Sequence, residues 1–338
     1  MEFRTEITPA ASRHTISHQD KILLIGSCFT EHIGSWLEEL FFDVCLNPSG
    51  IVYNPESAAY TLERLLSGKS YGPEELFQTH GIYHSFDHHS RFSSASAEEM
   101  LMRINESQRA AADYLLRSKY LLVTFGTSWI YRLKENGAVV SNCHKLPEKL
   151  FERQRLSEND IVSRWESLIQ KIRESNPQIR ILFTVSPIRH IKDTLHGNQL
   201  SKAVLLLAID RLCAENEECE YFPSYELLMD DLRDYRFYKE DMVHPSETAV
   251  RYIRDKFADT YFTPATRKLI KECIKIQKAL THRPLHPESE AYKRFLTQNI
   301  QSIEHLIEKN HFFTFERTLT LFKDRLKAIE NPVIHKPQ

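Results

Sequence analysis

No segment of this 338-residue chain approaches the run of about eighteen apolar residues that a bilayer span requires, so a membrane protein of the helical kind is not expected. The net charge is −2, from 44 basic and 46 acidic residues. That balance excludes bulk attraction to nucleic acid or to an anionic membrane. The six cysteines, Cys28, Cys45, Cys143, Cys213, Cys219 and Cys273, form no Cys-x-x-Cys pair. Neither a zinc ribbon nor a secreted disulfide framework is therefore expected, and the thiols read as reduced. The amino-terminal residues Met1-Glu2-Phe3-Arg4-Thr5-Glu6 lack the apolar stretch of a signal peptide, which makes a cytoplasmic location the expectation. Internal repeats and low-complexity linkers are also missing.

What is present is a chain rich in apolar residues, at 41%, long enough to bury a large core and to form two domains. Apolar runs at 21–25, 41–46, 120–125, 180–185 and 220–222 read as short buried strands. Amphipathic helical patterns separate or follow them at about 30–40, 56–67, 97–117, 158–174, 198–216 and 246–258. Continuous strands between such helices predict an α/β fold with a parallel sheet covered on both faces. In such a sheet ligands bind beyond the carboxyl ends of the strands, and Ser27, Gly126 and Ser186 each follow a strand directly. Residues 68–96, rich in Gly, Ser and His, read as a long loop. After residue 262 no strand pattern remains, and helices are expected near 264–280, 288–308 and 311–329. The domain expectation is thus 1–262 for the α/β part and 263–338 for a helical extension. The extension's Phe312, Phe313, Phe315, Leu319, Leu321, Phe322 and Leu326 need burial, against the sheet domain or in a homodimer.

Two short motifs carry the chemistry. In Gly26-Ser27-Cys28-Phe29-Thr30 the serine falls where a strand ends and a helix begins, a turn that exposes its hydroxyl near the positive end of the helix dipole. Far downstream, Asp241-Met242-Val243-His244-Pro245 places a carboxylate three residues before an imidazole. A serine needs such a base, and the base needs a group to fix its tautomer. Each motif alone also suits helix capping. Together they resemble the GSCFA family, a branch of the SGNH (GDSL-like) hydrolases, and further segments match: Asn47-Pro48-Ser49-Gly50-Ile51-Val52-Tyr53-Asn54-Pro55, Phe125-Gly126-Thr127-Ser128-Trp129, Asn142-Cys143-His144-Lys145 and Val185-Ser186-Pro187-Ile188-Arg189-His190. The resemblance covers roughly residues 15–260. It implies a three-layer flavodoxin-like fold and a triad of Ser27, His244 and Asp241.

The same resemblance implies an oxyanion hole from the N–H groups of Ser27 and Gly50 and from an asparagine in a Gly-x-Asn-Asp block. Here that block reads Gly126-Thr127-Ser128-Trp129, without the asparagine. Ser128, or Asn142 or His144 from the following loop, would have to replace it, since losing one donor typically costs a hundredfold or more. Gly50 has a plainer reading as a turn glycine. Arg189 and His190 read as pocket residues, with Arg189 suited to a carboxylate or phosphate. Two weaker candidates are Cys28 as the nucleophile and His80, His84, His88 and His89 as metal ligands. The expected function is a serine esterase acting on an acyl ester, such as an acetyl ester, of a sugar or other polar metabolite, with no cofactor and no metal. An acyltransferase would share the first half-reaction. A binding module on an inert version of the fold is the alternative from another class.

Overall fold

Strands buried on both faces must be apolar along nearly their whole length, and the segments 21–26, 120–125 and 180–185 meet that demand. In the computed structural model, which describes residues 4–312 and 315–330, the order is β1 (Lys21–Gly26), α1 (Cys28–Glu39), β2 (Asp43–Leu46), α2 (Pro55–Ser67), β3 (Phe77–Thr79), β4 (Ile82–His84), α3 (Ala97–Arg117), β5 (Tyr120–Phe125), β6 (Trp129–Leu133), β7 (Val139–Val140), β8 (Phe151–Arg155), α4 (Glu158–Ser175), β9 (Arg180–Val185), α5 (Thr194–Glu215), β10 (Cys219–Phe222), the single turn α6 (Ser224–Glu226), α7 (Glu247–Tyr261), α8 (Pro264–Thr281), α9 (Glu290–Lys309) and α10 (Glu316–Glu330). These elements fall into two compact units. One takes residues up to 14, 20–35 and 44–261, and the other takes 15–19, 36–43 and the chain from 262 onward.

The first unit is a three-layer α/β structure around a five-stranded sheet in the order β10-β9-β5-β1-β2. That is a flavodoxin-like order, with a switch point between β1 and β5. The pairs β1–β5, β5–β9 and β9–β10 are parallel, with Gly26 beside Thr124, and Thr124 and Phe125 beside Thr184 and Val185. Strand ends are therefore level, and the turns after Gly26, Phe125 and Val185 share one rim. On one face Leu23, Ile25, Leu121, Val123, Ile181 and Phe183 pack against α2, α3, α4 and α5. Trp165 of α4 is fully buried there and its indole N–H donates to the Pro55 carbonyl at 3.1 Å. Leu24, Leu122, Leu182 and Phe222 face Phe29 and Ile33 of α1 and Phe257 of α7 on the opposite side.

Three features depart from the sequence expectation. Residues 129–155 form an antiparallel sheet, β7-β6-β8, and 77–84 form the hairpin β3-β4 inside the expected loop. The second strand begins at Asp43, because Phe41 has φ 63° and its N–H closes the turn on the Glu38 carbonyl at 2.9 Å. Its apolar character serves another core. Within the second unit, Phe41 packs edge-on to Phe315 at 4.6 Å, and Phe42 stacks on Phe262 at 5.2 Å. Leu296, Ile303, Phe315 and Phe322 are fully buried among α8, α9 and α10. The tail's apolar residues thus bury one another, although Leu321 stays exposed. Phe313 lies outside the described residues. Among the described residues, no helix is long and apolar enough to cross a membrane.

Candidate active site

Ser27 is the one residue between β1 and α1, and its turn is tightly constrained. Gly26 adopts φ 153°, and a Cβ there would meet the Thr124 carbonyl at 2.5 Å and Thr30 Oγ1 at 2.6 Å. Only glycine fits. The Gly26 N–H donates to Asn47 Oδ1 at 2.9 Å, and the Gly26 carbonyl accepts from the Val52 N–H at 3.1 Å. Asn47 is itself fully buried with φ 45°. A side-chain amide thus ties the second loop to the serine turn. The Ser27 hydroxyl accepts only a long bond, 3.3 Å, from the Phe29 N–H, and the residue lines an open cleft of about 600 Å³. Cys28 lines the same cleft, but burial pushes its thiol pKa up, which opposes thiolate formation.

His244 reaches this cleft from the far end of the chain. Asp241 Oδ1 accepts the N–H groups of Val243 and His244 at 2.9 Å each, while Oδ2 meets His244 Nδ1 at 2.6 Å. Those backbone N–H groups, and then the imidazole, pull the Asp241 pKa down to about 2. An ionised carboxylate only accepts, so Nδ1 carries a proton, and the neutral tautomer this selects keeps its lone pair on Nε2. The capping alternative belongs to a neighbour: Ser246 Oγ takes the Ala249 N–H at 3.3 Å at the start of α7. Asp241 is therefore committed to its own loop and to the imidazole.

The remaining expected residues divide. Arg189, His190 and Asn142 line the cleft. Burial, helped by the Lys202 ammonium, lowers the His190 pKa to about 4, so this imidazole is neutral at ordinary pH. A Cβ added at Gly126 would stand 3.4 Å from His190 Nε2 and 3.6 Å from Ser27 Cβ, which sets His190 close to the serine. Arg189 contacts Met229 Sδ at 3.4 Å and lies over the Tyr238 ring at 5.5 Å. Three oxyanion candidates are turned elsewhere. The Gly50 N–H donates to the Asn47 carbonyl at 2.7 Å; its φ of 86° and the crowding of a Cβ by His89 at 2.1 Å explain the glycine as a turn residue. Ser128 is fully buried, its hydroxyl donating to Ser201 Oγ at 3.1 Å. His144 holds the Ser85 carbonyl through Nε2 at 2.8 Å and does not line the cleft. Of the histidine group, His84 bonds Ser93 and His88 bonds Ser85 through Nδ1, at 2.8 and 3.0 Å, while His89 lines the cleft. Among the described residues no cluster of three or more His, Cys, Asp or Glu side chains could hold a metal ion.

Sequence reasoning missed Lys202 of α5. Its fully buried ammonium donates to the carbonyls of Gly126 and Ser186 at 2.6 Å each, clamping the turns after β5 and β9. Burial lowers its pKa to about 7. A lysine at the edge of an apolar helical run gives no signal of whether its own side chain is buried. Asn54, which the sequence marks only as one residue of the segment 47–55, is buried, lines the cleft and caps α2.

The sequence model of the GSCFA family matches residues 21–257, and that of the GSCFA domain protein, C-terminal domain, matches 274–328. No curated protein matches the chain significantly. Among solved structures, a Clostridium thermocellum family 3 carbohydrate esterase shares 11% identity, with 78% of this chain and 99% of that chain covered and a TM-score of 0.31. An acetyl xylan esterase from Butyrivibrio proteoclasticus gives 14%, 75%, 64% and 0.36 for the same quantities. A family 3 carbohydrate esterase from Talaromyces cellulolyticus gives 10%, 75%, 99% and 0.34. Likenesses this remote carry no argument about function.

Proposed function

The chain belongs to the GSCFA family, and from that premise we propose that it is a serine hydrolase that cleaves an acyl ester through Ser27, His244 and Asp241. The observation that supports this reading is the meeting in one cleft of a strand-end serine and a histidine whose Nδ1 is held by a carboxylate at 2.6 Å. Ser27 Oγ adds to the ester carbonyl carbon, its proton passes to His244 Nε2, and the carbonyl π pair moves to oxygen. Collapse of that intermediate breaks the bond to the alcohol, which takes the proton from His244. Water then repeats the sequence on the acyl-enzyme and frees Ser27. Asp241, ionised throughout, holds the imidazole in the accepting tautomer and stabilises the imidazolium.

The cleft fits a polar substrate. Tyr53, Trp129 and Tyr131 offer aromatic surface, and Asn142 and Arg189 offer hydrogen-bond donors. An acyl ester of a sugar or another polar metabolite suits this lining, with Arg189 available to an anionic part because no carboxylate pairs with it among the described residues. A fluorophosphonate probe tests the reading. The adduct should map to Ser27 by peptide mass. An adduct at Ser186 instead, or none under conditions that label a control esterase, would overturn it.

A further inference from the structure

We propose that the carboxamide of Asn54 is the side-chain donor of the oxyanion hole, the role left open by the absence of an asparagine after Gly126. This inference rests on Ser27 being the nucleophile. The chain segment that carries Asn54 is stitched once to the serine turn and once to the neighbouring turn after β5. The Val52 N–H donates to the Gly26 carbonyl at 3.1 Å, and the Tyr53 carbonyl accepts the N–H groups of Gly126 and Thr127 at 2.8 and 3.0 Å. A Cβ placed on Gly126 would lie 3.0 Å from that Tyr53 carbonyl and 3.6 Å from Ser27 Cβ. Residue 54 therefore follows directly on backbone that passes beside the nucleophile, and its side chain lines the same cleft as Ser27 and His244.

The orientation of the amide follows from its second duty. Asn54 is the N-cap of α2, and its Oδ1 accepts the Ser57 N–H at 2.8 Å. Since that N–H can only donate, the oxygen must face the helix and Nδ2 must be the other branch of the carboxamide. Nδ2 has no acceptor among the described residues. Asn54 is 6% exposed and lines the cleft, so the free branch of a capped, enclosed carboxamide is the one we assign to it. A preorganised N–H of this kind costs no reorganisation when charge develops. When Ser27 Oγ adds to the carbonyl carbon and its proton goes to His244, the electron pair left on the carbonyl oxygen would accept from Asn54 Nδ2. Asn142 also lines the cleft, with its Oδ1 taking the His144 N–H at 2.9 Å, but among the described residues no hydrogen bond ties its loop to the Ser27 turn.

Asn54→Ser and Asn54→Asp both keep an oxygen for the Ser57 N–H and both remove the amide donor, so they separate the cap from the catalytic role. On p-nitrophenyl acetate each should lose about 10²–10³ in kcat with little change in KM, because the contact forms only in the transition state. Thermal stability should stay within about 2 °C of wild type. An active wild type with Asn54→Ser equally active would overturn the role of Asn54 alone. The same holds if only the aspartate variant is slow, which is a charge effect, or if Asn142→Ala is slow and Asn54→Ser is not. A wild type that neither turns over the ester nor labels at Ser27 overturns the triad and, with it, this donor.

Discussion

The Ser27 turn and the Ser128 turn both leave the carboxyl end of a buried parallel strand, β1 in one case and β5 in the other, on the same rim of the sheet. Both serines are all but inaccessible, at 1% and 0% exposure. Their hydroxyls nevertheless have different surroundings. Ser128 belongs to a closed set with Ser201, which accepts the Ser128 N–H at 2.8 Å and meets the hydroxyls of Ser128 and Thr127 at 3.1 Å each. Ser27 has one long backbone donor and an open cleft beside it. A hydroxyl whose hydrogen-bond capacity is filled by fixed neighbours stabilises a fold, whereas one left to a mobile ligand can react. Burial does not separate the two, and placement after a strand does not either. The accounting of partners does.

Four substitutions probe that contrast, taken from the largest expected effect. Ser27→Ala should lower kcat on an acyl ester by a factor on the order of 10⁶, the loss seen when a serine nucleophile is removed from a working triad. Retention of more than a small part of the rate would erase the distinction between the two turns. Asp241→Asn should cost about 10⁴ in kcat, since an amide no longer dictates the His244 tautomer. Its melting temperature should hardly change, because the pair is exposed. Unfolding without loss of specific activity would make Asp241 a loop-closing residue only.

The third effect concerns the lysine beneath both the Gly126 and Ser186 carbonyls. The pKa of Lys202 is about 7 when folded and 10.5 by its ordinary value. Between these values the unfolded chain holds more protons, so stability should rise with pH through that window, by up to about 1.4 kcal/mol per unit. Lys202→Met should remove that slope, which denaturant titrations at pH 7, 8 and 9 would read as a difference between the two proteins. Parallel pH profiles would mean that the ammonium is not held at a lowered pKa. Last, Ser128→Ala should cost about 1 kcal/mol of stability through its lost bond to Ser201 and leave kcat within a few fold. A hundredfold loss of kcat there would return Ser128 to the oxyanion hole.

Much of the sheet and its covering helices could be read from residue order, for a physical reason. Parallel strands such as Leu23-Leu24-Ile25 and Leu121-Leu122-Val123 are buried on both faces and therefore apolar throughout, and the helices between them carry one apolar stripe. Short antiparallel pieces gave no such signal: Val139–Val140 has two residues, and Phe151–Arg155 has a single apolar one. Phe41 and Phe42 read as strand because apolar residues do not announce which core they enter. At the candidate site, the strand-to-helix position of Ser27 and the pairing of Asp241 with His244 were legible through local spacing. What was not legible is hydrogen-bond commitment: the Gly50 N–H is taken by Asn47, and a lysine on α5 is fully buried. Those depend on contacts made across the fold, about which neighbouring residues in sequence say nothing.

The central claim, that Ser27 and His244 work as one unit with Asp241 behind them, is tested most directly by a double-mutant cycle on kcat. Groups that act together in a single proton-coupled attack lose nearly everything when either is removed. Ser27→Ala, His244→Ala and the double variant, measured on the same ester at the same pH, should therefore show nearly equal residual rates. If the double variant instead loses the product of the two single losses, the serine and the histidine act independently and the triad account is wrong.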